Sequence, residues 1–82
     1  MTRSLASLKN GESAEIHDIE GSFPDRSRFL ELGFTAGAVI QILRRAFLGD
    51  PLVIQVRGTH YALRHADAQN IRVKKPTAET DL

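Results

Sequence analysis

The chain has 82 residues, a formal net charge of +1, 41% hydrophobic and 26% charged residues, and no cysteine. That composition suits one small globular domain with a single core. It excludes disulfides, thiolate zinc sites and iron–sulfur clusters, suits a reducing compartment, and gives no electrostatic argument for nucleic acid.

No apolar run approaches the roughly 18–20 residues that a membrane-spanning helix needs. The opening MTRSLASLKNGESAE turns polar after two leucines and does not read as a secretory signal. Ser4 is placed to cap a short helical turn carrying Leu5 and Leu8, which Asn10-Gly11 breaks. From Ser13 to Ile19 the apolar residues Ala14 and Ile16 alternate and the pattern then slips, predicting a strand with a bulge or early end near Asp18. Gly21-Ser22 opens a loop.

The clearest helix is PDRSRFLELGF, expected over Asp25–Leu32. Asp25 stands at the N-cap, and Phe29, Leu30 and Leu32 supply a buried face. Gly33 stands where a left-handed residue would end the helix, and Phe34 is placed to clasp Phe29. After Thr35-Ala36-Gly37 the β-branched run AVIQILRRA predicts a strand. Gly49-Asp50-Pro51 then turns the chain into LVIQV, where Leu52, Ile54 and Val56 point one way and Val53 and Gln55 the other. Arg57-Gly58-Thr59 makes a tight turn into HYAL, and Asp67 and Ala68 lie in a helical turn before the last strand, IRV. Residues 1–75 read as one domain and 76–82, opened by Pro76, as a flexible tail.

This order predicts a mainly β fold with short helices: a small, partly open five-stranded barrel with the helix plugging one end. The expected core comprises Leu8, Ile16, Phe29, Leu32, Val39, Ile54, Val56, Leu63, Ile71 and Val73.

No catalytic or metal-binding set emerges. His17, His60 and His65 lack paired ligand spacing, no serine sits in a Gly-x-Ser-x-Gly elbow, and Gly49-Asp50-Pro51 feeds a strand rather than the helix a phosphate loop requires. Glu15, Asp18 and Glu20 form an acidic patch, while Arg44-Arg45 and Arg72, Lys74 and Lys75 form basic ones; both kinds read as solvated rims. The chain is expected to be no enzyme and to carry no cofactor or metal.

The stretches LELGFTAG at 30–37, GDPLVIQVRG at 49–58, and Ala62-Leu63-Arg64 followed by Ala68, Ile71 and Val73 resemble, in that order and spacing, the FeoA family of bacterial ferrous-iron uptake. The opening SLASLKNGESAEI is similar to the family's own. Ala36 departs from the pattern, which more often has proline there. The resemblance implies an SH3-like barrel and a cytoplasmic accessory partner of FeoB, the membrane ferrous-iron transporter with a cytoplasmic GTP-binding part, reached at the inner membrane face. It implies no catalytic residues, no nucleic acid and no membrane insertion; self-association stays open. The same domain is appended to iron-dependent regulators of the diphtheria-toxin-repressor class, but no helix-turn-helix precedes it here, which favours the stand-alone accessory protein.

In that role Phe47 and Leu48 would form an apolar docking tip beside the Gly-Asp-Pro turn, rimmed by Arg44, Arg45 and Arg57. Arg26 and the exposed side of the helix are the alternative surface. An RNA- or DNA-binding barrel, which would want an exposed aromatic such as Tyr61 on a basic face, and a ferrous-iron carrier or sensor using the histidines and the acidic patch are the competing readings.

Overall fold

The computed structural model describes residues 1–76, the Phe47 side chain excepted. Its strands are β1 Arg3–Ser4, β2 Ser13–Ile19, β3 Val39–Arg45, β4 Leu52–Val56, β5 Thr59–Leu63 and β6 Ile71–Lys74; its helices are α1 Arg26–Glu31 and α2 His65–Ala68. The strands form one antiparallel sheet in the order β1-β6-β2-β3-β4-β5. Five are the expected strands, and the sixth is the two-residue β1. β1 and β5 end the order without pairing to each other, so the barrel is open. The expected tail lies outside the described residues beyond position 76, and Pro76 itself is buried.

Two bulges shape the sheet. The pairing of β2 with β6 shifts between Ile16 and Asp18, where the alternation slips, making His17 the extra residue. A second shift, between Ile42 and Arg44 on β3, places Arg44 opposite Val53 and Arg45 opposite Leu52. Leu52, Ile54 and Val56 all point inward, as their alternation requires.

Ser4 heads the first turn as expected: its Oγ accepts from the Ala6 amide at 3.0 Å, and Leu5 and Leu8 are buried. At the end of α1, Gly33 has φ +109°. The Phe34 amide donates to the Phe29 carbonyl at 3.0 Å and the Gly33 amide to that of Leu30 at 3.1 Å. This pair of bonds is a Schellman ending, and the Phe29 and Phe34 rings close it with centroids 5.2 Å apart. Asp25 occupies the N-cap position without a capping side-chain bond and pairs instead with Arg28 at 3.4 Å.

Two expected core residues are on the surface. Leu32 is 40% exposed and Val39 53% exposed. Leu32 is the last residue before the Gly33 reversal, and the chain turning there puts Phe34, fully buried, over Phe29 in its stead. Val39 stands on the opposite parity from Ile40 and Ile42, both fully buried, and faces outward beside Glu15. The remaining expected core residues are buried, joined by Leu5, Phe34, Ile40, Ile42 and Leu52.

Candidate functional site

The connection from β3 to β4 forms the tip that the sequence offers as a docking surface. The Ala46 amide donates to the Pro51 carbonyl at 2.9 Å and the Gly49 amide to the Ala46 carbonyl at 2.8 Å, closing a compact 3-10 turn over Phe47–Gly49. The carboxylate of Asp50 accepts from the His65 amide at 3.0 Å and so ties the tip to the start of α2.

Inside this braced loop Leu48 has φ +68° and ψ 14° and is 93% exposed. A branched apolar side chain in left-handed backbone costs about 1–2 kcal/mol relative to the right-handed region. Its exposure also forgoes the roughly 1.5–3 kcal/mol that burial would contribute. Both local terms oppose leucine here, and a backbone outlier held in place by its surroundings is the kind of feature that concentrates at functional positions. The side chain of Phe47 lies outside the described residues.

The arginines divide. Arg44, near the end of β3, is exposed, and its side chain has no hydrogen bond or ion pair among the described residues. Arg45 faces the other side of the strand, and its guanidinium donates to the Ala6 carbonyl at 2.9 Å and to that of Leu8, fastening β3 to the first turn. Arg57 does not rim the tip: it lies just past the far end of β4, in the turn to β5, with φ +50°. There its Nε donates to the Gly33 carbonyl at 3.1 Å and its Nη2 to Thr35 Oγ1 at 2.8 Å, joining the hairpin to the end of α1. Arg26, at the start of α1, is exposed, and its Nε donates to the Ile19 carbonyl at 3.3 Å. Of the expected docking set, Arg44 near the end of β3 and Leu48 in the turn after it are both exposed, whereas Arg45 is turned to the first turn and Arg57 and Arg26 lie elsewhere.

The charged patches on β2 and β6 meet each other. Arg72 grips both oxygens of Asp18, at 2.6 and 2.9 Å, and one of Glu20 at 2.9 Å. Lys74 lies 3.6 Å from Glu15. The hydrogen bonds from Arg72 hold the Asp18 and Glu20 carboxyls below their ordinary range, helped at Glu20 by the Ser22 backbone, and the two carboxylates raise Arg72 in turn. The acidic patch is thus occupied by cations of the protein itself. Among the described residues no group of three or more His, Asp or Glu side chains could hold a metal ion. His60 Nε2 lies 3.2 Å from Gln55 Oε1 across the β4–β5 pair.

Tyr61 is half-buried, its ring 5.4 Å from that of Phe34 and its hydroxyl donating to the Leu32 carbonyl at 3.3 Å. Held this way it continues the aromatic row from Phe29 rather than offering an open stacking platform.

Comparison with known proteins agrees with this architecture. The FeoA domain family matches residues 3–75. A Porphyromonas gingivalis protein described as an Fe(2+) transport protein A/Fe(2+) transporter FeoB fusion is 36% identical over 70 residues; these cover 85% of this chain and 8% of that protein's length. The FeoA protein of Chlorobium tepidum in solution superposes with a TM-score of 0.80 at 33% identity, over 88% of this chain and 69% of that one. The Stenotrophomonas maltophilia FeoA, crystallised with zinc and described as a prokaryotic SH3 domain protein, gives 0.76 at 28% identity, over 87% and 88%. The domain match from residue 3 to residue 75, with these relatives, shows that the chain belongs to the FeoA family, linked to ferrous-iron transport.

Proposed function

We propose that this chain is an accessory module of ferrous-iron uptake that binds the cytoplasmic GTP-binding part of an FeoB-type transporter, acting by contact rather than by catalysis. The observation that carries this reading is Leu48, an apolar side chain held 93% exposed in left-handed backbone at a braced tip. The relative in which an FeoA and an FeoB share one polypeptide supports the choice of partner. Among the described residues no helix is long and apolar enough to cross a membrane, so recruitment to the inner membrane face would run through the transporter. Arg44 beside the tip would favour an acidic patch on the partner and make binding weaken as salt rises.

The test uses the tagged chain as bait on detergent-solubilised membranes, with captured proteins identified by mass spectrometry. The wild type should retain FeoB and Leu48→Asp should not. Retention of FeoB by a folded Leu48→Asp would move the interface to another surface, of which Arg26 and the outer side of α1 are the first to examine.

A further inference from the structure

The order of the sheet leaves β5 at an edge. β5 pairs with β4 along its whole length, from Val56 with Thr59 to Leu52 with Leu63, and with no other described strand. Arg57 and Gly58, the two residues between Val56 and Thr59, have φ of +50° and +78°. That is the two-residue hairpin in which the flanking pair is hydrogen-bonded and bonded pairs then alternate. Thr59, Tyr61 and Leu63 therefore direct their backbone groups at β4, while those of His60 and Ala62 point away from the sheet. No backbone partner among the described residues meets them, and both residues are exposed.

Exposed edges of this kind are usually blunted by proline, lysine, a bulge or brevity. The opposite edge, β1, is two residues long. β5 has five residues, THYAL, and none of those devices. The sheet face beside it is also one-sided in charge. Its outward positions Gln41, Arg44, Val53, Gln55, His60 and Ala62 include no carboxylate. Arg44, and Arg64 just past the end of β5, are exposed with no ion pair among the described residues.

We infer that the outer edge of β5 docks an extended acidic polypeptide segment, which adds as a further strand through the backbone groups of His60 and Ala62. Those groups supply the ladder, and Arg64, exposed just past the end of β5, selects a carboxylate on the added strand. A polypeptide fits an edge of alternating donors and acceptors, which a polynucleotide backbone does not complement. A second copy would set two carboxylate-free faces side by side, which like charge disfavours. The edge is separate from the Leu48 tip, so either site can fail while the other stands.

The test is backbone NMR of the whole chain with the peptide acetyl-Thr-Glu-Val-Glu-Val-Glu-Thr-amide and a counterpart carrying lysine for glutamate. The acidic peptide should slow amide exchange at His60 and Ala62 by about tenfold near saturation, as bound edge amides require. Ala62→Pro removes an amide that the ladder to β4 does not use, and should abolish binding while the fold persists. Arg64→Glu should weaken binding at least tenfold, and decides the question should the proline variant unfold. The inference is overturned by no binding at about 1 mM peptide, the weak limit of recognition. Equal affinity for the lysine peptide, protection away from β5, or the same protection produced by oligothymidylate or by self-association of the chain would also overturn it.

Discussion

At residue scale, three backbone positions make separate claims. Leu48 occupies left-handed backbone with its side chain in water, so Leu48→Asn should raise stability by about 0.5–1 kcal/mol, because asparagine tolerates that conformation. The melting temperature checks it, and a lower value would mean that Leu48 makes contacts the fold needs. Gly33 has φ +109°, and a Cβ there would stand 3.0 Å from Arg57 Cδ. Gly33→Val should therefore cost about 1–2 kcal/mol in chemical denaturation, since a β-branched residue is strained at positive φ and the Arg57 side chain must give way. At the next turn the Ala38 amide donates to the Thr35 carbonyl at 3.0 Å and Gly37 has φ +91°. These fit a type II turn, whose second position favours proline. Ala36 stands there, exposed, and its amide serves no backbone bond among the described residues. Ala36→Pro should stabilise by about 0.4–1 kcal/mol through the unfolded chain, read as a rise in melting temperature.

At element scale, α1 shows what local sequence can specify. Asp25, Phe29, Gly33 and Phe34 lie within one short stretch, and the spacing of the phenylalanines around the glycine implies the Schellman ending that the bonds display. The slip after Ile16 likewise marks the β2 bulge. The phase of β3 is less legible, because Ala38-Val39-Ile40 is apolar on both parities. Gln41, flanked by inward Ile40 and Ile42, is the residue that carries the phase. The destination of Arg45, the carbonyls of Ala6 and Leu8, depends on the Leu43 bulge and on a contact between segments distant in sequence. Arg72 across the β2–β6 pair is equally non-local, and it makes a pH prediction. The Asp18 and Glu20 carboxyls are lowered in the folded state, so their contribution to stability is complete above the ordinary carboxyl range. It is lost as pH falls from about 4 through the lowered values. Arg72→Met should flatten that acid limb in a series of urea melts between about pH 5 and 2, over which paired carboxylates titrate. An unchanged limb would mean that the pairing contributes nothing measurable, as exposed ion pairs often do.

At the scale of the whole molecule, one open sheet presents a tip between β3 and β4 braced by Asp50 against α2. The Gly-Asp-Pro turn beside two large apolar residues marked this tip in the sequence. Which arginines share it was not legible, because bulge position and hairpin direction send Arg45 and Arg57 elsewhere. The central claim is that the tip binds the transporter, and the direct measurement is calorimetric titration of the purified cytoplasmic GTP-binding part of FeoB with the wild type and with Leu48→Asp. Leu48 is 93% exposed, so the variant should melt at or above the wild-type temperature. Its affinity should fall by about tenfold or more, the scale set by the 1.5–3 kcal/mol of a buried leucine. Unchanged affinity in the folded variant, or unfolding of the variant, would contradict the account.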